Sequence, residues 1–529
     1  MFNLIVRTGS KKYLLRIRNS ESIGEVLGKE GLLALPCGGK GLCGLCKITI
    51  LRGEVSELSG NERIIGVKPP ERLACRVKPL GDVEVEIPPI IMPKTVSRSS
   101  LNISAKQWDP LNLRLRDLYA RSVVIDHGIL AELISKYSAN HGSDKVLLID
   151  LGTTKIAYQV MDIKGNILEE GIIPTPLHEY GSDIISRLTK IIENPYIKIE
   201  MRRKLIEVLE NLSGISNSKL ALICGNTFME YLFLDLPLES LSRHPFKPPL
   251  KGPFLTHVRD IMVIAPPILN GFVGGDAYAD LVATIEIGLK PPYLIIDIGT
   301  NTEVILVTDT YILVTSTPAG PAIEGKVGRA AYIGRGGVTK VRIINTINEK
   351  PVFSLDYVEN PRYFLGSGLL SLIAELKRHG FIRRDGVFLK GYEVFNGVKT
   401  FVVNTENDLY FTQVDMRRLQ EALAAIKVAW KVLLEEAGIN EDLLENVVVT
   451  GNMAIHVEID DLVETGLIPF VDKSRILLAG NLVLSGLRVM FLDNKYILRY
   501  EDVIGRVKHV YLPMVPNYMK KWVENLALP

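Results

Sequence analysis

The stretch Asp150-Leu151-Gly152-Thr153-Thr154-Lys155-Ile156-Ala157-Tyr158-Gln159-Val160-Met161-Asp162 recurs 147 residues later as Asp297-Ile298-Gly299-Thr300-Asn301-Thr302-Glu303-Val304-Ile305-Leu306-Val307-Thr308-Asp309. Each copy follows an apolar run that reads as a strand, Val146–Ile149 in the first and Tyr293–Ile296 in the second. Each then continues into a second and a third strand, turning at Lys164-Gly165-Asn166 in the first copy and near Thr310 in the second. Helical patterns follow, such as Asp183–Glu193 and Ile199–Leu212. A repeated β-β-β-α unit predicts an α/β fold with two similar lobes facing one cleft.

The repeated Asp-x-Gly-Thr has a chemical reading. A tight turn between two strands, with Gly for close approach and Thr for a hydroxyl, offers donors to phosphate oxygens. An Asp on each side holds Mg²⁺ through water, since magnesium usually keeps several of its waters. The expected clamp is therefore Asp150, Gly152, Thr153 and Thr154 on one side and Asp297, Gly299, Thr300 and Asn301 on the other, closing on a triphosphate such as ATP. Asp276, in Gly274-Gly275-Asp276, and Glu303 are candidates for activating water, each with an equal reading as a structural carboxylate. Gly320-Pro321-Ala322-Ile323-Glu324-Gly325-Lys326-Val327 imitates a P-loop, but Val327 replaces the metal-reaching hydroxyl and Pro321 removes an amide. Gly271–Asp276 lacks the strand-to-helix entry of a dinucleotide fingerprint.

Asp415–Ala437 shows apolar residues at helical spacing (Met416, Leu419, Leu423, Ile426, Trp430, Leu433), with Asp415 as cap and Gly438 as stop. Asn446–Val449 reads as a strand entering Thr450-Gly451-Asn452, where Gly451 and Asn452 would border a nucleoside. Ala479–Gly486 is rich in small residues and suits two helices in close approach. Gly366-Ser367-Gly368 precedes another helix and is a further candidate for lining the cleft. Each of these three also reads as an ordinary turn.

Four of the five cysteines, Cys37, Cys43, Cys46 and Cys75, fall in the first 75 residues; the fifth is Cys224, read as a buried thiol. That lopsided count argues for a metal or cluster site over a disulfide framework. Three thiols share one glycine-rich loop, Cys37-Gly38-Gly39-Lys40-Gly41-Leu42-Cys43-Gly44-Leu45-Cys46, and the fourth arrives in Arg72-Leu73-Ala74-Cys75. A loop wrapped round a cluster needs positive-φ positions and close amides, which glycine supplies. Structural zinc, the competing reading, pairs two short Cys hooks, and no histidine precedes His127 to make a mixed site. The C-x5-C-x2-C spacing favours [2Fe–2S]. Around the loop, Leu4–Val6, Tyr13–Ile17, Lys47–Leu51 and Val83–Ile87 read as strands, and Ser22–Leu32 as a short helix with Ser20 as cap.

At 529 residues the chain predicts two to four domains, and 47% hydrophobic with 23% charged residues is the usage of a folded protein. The expected limits are 1–90 for the cluster domain, 91–143 for a Pro- and Ser-marked linker with a weak helical pattern, and 144–529 for the repeat, with lobes of about 144–290 and 291–529. Lys+Arg 62 against Asp+Glu 60 gives no electrostatic case for nucleic acid or an anionic membrane. No run approaches the roughly 20 apolar residues of a membrane helix, and Met1–Arg7 lacks a signal layout, so a cytoplasmic location is expected.

The N-terminal region resembles a plant/adrenodoxin-type ferredoxin of β-grasp shape, one residue longer between its first two cysteines. The later order of two Asp-x-Gly-Thr turns and then Thr-Gly-Asn resembles the sugar kinase/Hsp70/actin superfamily, of ribonuclease H-like lobes. Over about nine tenths of its length the chain is similar to the reductive activators of corrinoid proteins. That resemblance rests on the cysteine loop, Arg72–Cys75, Asp297–Asn301, Ala319-Gly320-Pro321-Ala322, Gly366–Leu369 and Thr412-Gln413 with Asp415 and Leu419. It implies an ATPase that passes single electrons through a [2Fe–2S] cluster to return an inactive Co(II) corrinoid to Co(I). The implied partners are a corrinoid protein or corrinoid-dependent methyltransferase and a low-potential electron donor, with a homodimer left open. Such activators tend to carry a middle domain larger than residues 101–143 could supply. Two rivals share the same cleft: a small-molecule kinase with a redox-sensing domain, and a nucleotide-gated sensor without turnover.

Overall fold

Along one strand, Val146 and Leu148 face one apolar core while Leu147, Ile149 and Leu151 face another. The same division recurs at Tyr293 and Ile295 against Leu294, Ile296 and Ile298. This period-two split is what a strand buried on both faces requires. The computed structural model describes residues 1–8, 11–30, 32–33, 35, 39, 41, 46–65, 67–87, 123–124, 145–181, 183–318, 337–357, 361 and 363–529. The expected linker, its helical pattern and the P-loop imitation lie outside the described residues, apart from Val123–Val124.

At the N-terminus, β1 (Phe2–Thr8), β2 (Lys11–Ile17), β3 (Lys47–Arg52), β4 (Glu71–Leu73) and β5 (Val83–Glu86) form one sheet in the order β2-β1-β5-β3-β4, with β1 and β5 parallel. With the Ile23–Lys29 helix packed on it, this is a β-grasp. The helix is capped by Ser22 and not by Ser20, because Glu25 stands at the third helical position and completes a capping box. Arg72 is the internal tie. Its Nε donates to Glu62 Oε1 at 2.9 Å, and Nη1 and Nη2 reach the carbonyls of Ser56 and Glu57. Burial opposes ionisation of Glu62, but the Arg72 guanidinium and the Ser59 and Leu73 amides outweigh it and hold the carboxyl at about 2.

The first lobe holds β6 (Val123–Val124), β7 (Lys145–Leu151), β8 (Lys155–Asp162), β9 (Ile167–Pro174), β10 (Leu220–Gly225), β11 (Phe254–Val258) and β12 (Ile261–Ala265) in the order β6-β11-β12-β10-β7-β8-β9. The second is built on β13 (Tyr293–Ile298), β14 (Thr302–Val307) and β15 (Ile312–Thr317). Two small sheets follow it, made from β16 (Gly337–Ile347), β17 (Lys350–Tyr357), β18 (Tyr363–Phe364), β19 (Glu393–Phe395), β20 (Val398–Asn404) and β21 (Leu409–Thr412). β22 (Asn446–Thr450), β23 (Ile476–Gly480) and β24 (Val507–His509) complete the main sheet, ordered β23-β22-β13-β14-β15-β24. In each lobe the antiparallel trio is extended by a parallel strand beside its first member, β10 on β7 and β22 on β13. The two sheets are thus one ribonuclease H-like plan used twice.

Between them lie the Gly275–Ile287 helix of the first lobe and the Leu482–Leu492 helix of the second, sharing one core with residues of both sheets. They touch backbone to backbone: a Cβ on Gly486 would lie 2.0 Å from the Ala279 carbonyl oxygen. The long Gln413–Ala437 helix packs on the far side of the second sheet. Its cap is Thr412, with Asp415 closing a capping box from inside the first turn, and Gly438 ends it at φ 65°. Among the described residues no helix is long and apolar enough to cross a membrane.

Gly486→Val forces these helices apart and is expected to cost about 3 kcal/mol, read as a lower urea midpoint with an unchanged slope. In the cluster domain, Arg72→Met leaves Glu62 buried without its partner and is expected to cost about 3–5 kcal/mol. Because the folded Glu62 value of about 2 lies below its unfolded value, the contribution is complete above roughly pH 4.3 and is lost as pH falls toward the folded value. Thermal melts of parent and variant across that range should converge at the acidic end.

Candidate functional site

The end of β7 and the end of β13 each run into the turn that carries the repeated motif, and the turns meet. Thr154 Oγ1 lies 3.3 Å from Thr300 Oγ1 across the gap between lobes. They border a cleft of about 720 Å³, continuous with solvent and lined by Asp150, Gly152, Thr153, Thr154, Lys155, Asp276, Asp297, Gly299, Thr300, Asn301 and Glu303. Gly152 is required by space: a Cβ there would sit 2.4 Å from the Lys155 carbonyl oxygen. The Gly299 amide closes its own turn on the Asn301 carbonyl at 3.0 Å, so that donor is spent internally. Thr153 is held from behind, its Oγ1 accepting from Asn226 Nδ2 at 3.0 Å.

The cleft is crowded with carboxylates. Burial, then the charges of Asp276 and Asp297, push Asp150 well above the usual range, a shift that a hydrogen bond from Asn481 only partly offsets. Burial pushes Asp276 up to about 6 against the opposing amides of the Gly275 helix start. Glu303 is pushed well up by burial and by Asp276 and Asp297, although Ser316 Oγ donates to it at 3.0 Å. Asp280, one helical turn beyond Asp276, is fully buried with neither carboxylate oxygen hydrogen-bonded. Among the described residues no three acidic, histidine or cysteine side chains converge tightly enough to enclose a metal ion. The carboxylates of Asp150, Asp276 and Asp297 that line the cleft are hard oxygen donors, of the kind a hard divalent cation takes.

Other expected residues divide. Gly451 lines the cleft at φ 96°, where a Cβ would come within 2.9 Å of Asp297 Oδ1. Asn452 opens the following short turn. Gly366, Ser367 and Gly368 are not among the described residues that line the cleft. They begin the Gly366–Arg378 helix, and Gly368 is small because a Cβ would lie 2.2 Å from the Val338 carbonyl oxygen of β16. Lys155, Asn226 and Asn481 also line the cleft, outside the set expected from the motifs. A signal existed: Gly225-Asn226 and Gly480-Asn481 each end a parallel strand, and each Asn caps the next helix.

In the N-terminal domain, Lys47 pairs with Leu73, which sets Cys46 and Cys75 just beyond the paired ends of β3 and β4. Both are buried and their sulfurs approach to 3.2 Å, so two of the four expected ligands already converge. Cys37 and Cys43 lie outside the described residues; of the glycines in their loop, Gly39 and Gly41 take φ of 80° and 70°. Cys224 is a buried thiol on β10, pushed well up by burial, with Asp150 as its register partner on β7.

Known proteins carry the same plan. Residues 10–80 match the 2Fe-2S iron-sulfur cluster binding domain, 146–286 the RACo middle region, and 291–529 the C-terminal domain of RACo, the ASKHA domain. The family's middle region thus falls on the first lobe and not on the segment before Lys145, which removes the apparent shortage at 101–143. The chain is 26% identical to the corrinoid activation enzyme RamQ of Eubacterium limosum, over 95% of both chains. It is 23% identical to the [Co(II) methylated amine-specific corrinoid protein] reductase of Methanosarcina barkeri, over 69% of this chain and 72% of that one. A solved reductive activator for corrinoid, iron-sulfur protein superposes with a TM-score of 0.67 at 22% identity, covering 100% of this chain and 98% of the other. With the two RACo models side by side across both lobes and a cluster-binding domain ahead of them, the chain belongs to the RACo family of reductive activators of corrinoid proteins.

Proposed function

We propose that the protein is an ATP-dependent reductive activator that returns a corrinoid protein from Co(II) to Co(I), one electron at a time. The observation that carries the reading is the approach of the two Asp-x-Gly-Thr turns, Thr154 to Thr300, over a cleft lined from both lobes. Such a cleft grips the phosphate chain of a nucleotide from two sides, and binding energy shared between lobes favours the closed state. In this reading Gly152, Thr153, Thr154, Thr300 and Asn301 bind phosphate oxygens, Lys155 offers an added positive charge, and Gly451 gives the nucleoside a bare backbone to lie against. Asp150 and Asp297 would hold Mg²⁺, which would supply charge neutralisation that the carboxylate-lined cleft otherwise lacks.

Asp276 is the proposed acceptor of the proton from attacking water. It lines the cleft and its value of about 6 is close to neutrality, where a general base works best. Glu303, tied to Ser316 and pushed well above the carboxylate range, suits a neutral structural role.

Cys37, Cys43, Cys46 and Cys75 are the proposed cluster ligands, and the [2Fe–2S] centre supplies a one-electron relay from a low-potential donor. For one electron, each 59 mV of uphill potential costs about 1.4 kcal/mol. Nucleotide-dependent affinity for the corrinoid protein meets that cost, because whatever binds one redox state more tightly shifts the potential.

Asp276→Asn is expected to lower ATP hydrolysis by about 10²–10⁴-fold with nucleotide binding retained, measured as phosphate release beside calorimetry with ADP. Cys43→Ala is expected to abolish ATP-dependent conversion of a Co(II) corrinoid protein to Co(I), followed by its visible spectrum. Reduction at the parent rate by that variant would remove the electron-relay role.

A further inference from the structure

Two successive carbonyls of the first phosphate turn are held by one short stretch of chain. The Thr175 amide donates to the Thr154 carbonyl at 3.1 Å, and Arg187 Nη2 donates to the Thr153 carbonyl at 2.6 Å. Arg187 is fully buried, and its Nε also binds the Gly181 carbonyl at 3.1 Å. Between these two anchors lies the His178–Tyr180 turn, itself strapped to the lobe. Lys190 Nζ donates to the Glu179 carbonyl at 2.8 Å, Lys204 pairs with the Glu179 carboxylate, and the Tyr180 hydroxyl meets Glu200 Oε2 at 3.2 Å.

The middle of that stretch touches the cluster domain. A Cβ built on Gly28 would lie 3.5 Å from Glu179 Cβ, an ordinary packing distance. Gly28 belongs to the Ile23–Lys29 helix, which is pressed on a cluster ligand at its other end. The Gly24 amide donates to the Ala74 carbonyl at 2.7 Å, and a Cβ at Gly24 would sit 2.7 Å from the Cys75 nitrogen. Hydrogen bonds therefore lead inward from Cys75 and from Thr153, and the two sets meet where the Ile23–Lys29 helix neighbours the His178–Tyr180 turn.

The backbone itself makes this route responsive. A peptide unit is planar, so the Thr153 carbonyl and the Thr154 amide turn as one body. A phosphate that draws the Thr154 amide reorients the carbonyl that Arg187 holds, and Lys155 with the Thr154 carbonyl behaves likewise toward Thr175. A fully buried guanidinium with fixed acceptors follows such a rotation more faithfully than a solvated one, because it has no water to exchange for a lost partner.

We propose that Arg187 is a positioning residue that carries nucleotide occupancy from the Thr153–Thr154 turn, through the Thr175–Arg187 stretch and the Glu179–Gly28 contact, to the helix seated on Cys75. This rests on the reading of the cleft as a nucleotide site. It adds where the nucleotide signal enters the redox domain.

The test is amide hydrogen exchange on the full-length protein with and without saturating Mg²⁺ and ADP, with ADP binding followed by calorimetry on the same samples. In the parent protein ADP should slow exchange over residues 23–29 by about threefold or more. Arg187→Met should abolish that change, and Arg187→Lys should restore part of it. Gly28→Gln, remote from the cleft, should abolish it with ADP affinity unchanged, which covers the case in which Arg187→Met fails to fold. ADP binding with no change at 23–29 in the parent, or a full change in Gly28→Gln, overturns this proposal alone. No ADP binding to the parent overturns the nucleotide reading and this proposal with it.

Discussion

One contact sets the spacing of everything else in the cleft: Gly486 of the second lobe lies against the Ala279 backbone of the first. Helices that meet backbone to backbone have no side chain to compress, so the distance between the two sheets is fixed by hard contact. β7 and β13 flank this helix pair through one shared core, and their ends are therefore delivered to a defined separation. The hydroxyls of Thr154 and Thr300 come within hydrogen-bonding reach as a consequence. A looser helix crossing would leave two half-sites, each too shallow to hold a phosphate chain.

The same closeness creates the electrostatic problem that defines the site. Asp150, Asp276, Asp280, Asp297 and Glu303 share one poorly solvated region, and each raises the cost of ionising its neighbours. A bound divalent cation inverts that cost, whereas a bare polyphosphate would add to it. Lys155 is the one basic side chain among the described lining residues, too little to neutralise such a ring. In the proposed reading the nucleotide therefore brings its own metal.

The redox half is built on different physics. Its cysteine pair is placed by strand register, and the register is locked by Arg72, which binds one buried carboxylate and two carbonyls at once. A small sheet holding a cluster has little apolar core to spare, so a multiply bonded buried guanidinium supplies the specificity that packing alone would not. Each half therefore has a buried arginine at its anchor point: Arg72 behind Cys75, and Arg187 behind Thr153.

Local pattern determined the internal repeat, the first strands of the cluster domain and of each lobe, and the helices near 22–32, 183–193, 199–212 and 415–437, because strand and helix periods are written in neighbouring residues. Cap positions were legible only approximately: Ser22 and Thr412 hold their helices, not Ser20 and Asp415, because a capping box depends on which residue faces the free amides. Tertiary structure alone decided which turns share a cleft. Gly366-Ser367-Gly368 has the look of a ligand loop, yet its glycine is consumed by β16, while Asn226 and Asn481 reach the cleft from strands distant in sequence. The buried partners of the motifs, Asp280 and Arg187, were likewise invisible, since a charged residue in a helix reads as surface until a second sheet is folded over it. Sequence thus specified the pieces through contacts made within a few residues; their convergence depended on long-range packing, which no local spacing encodes.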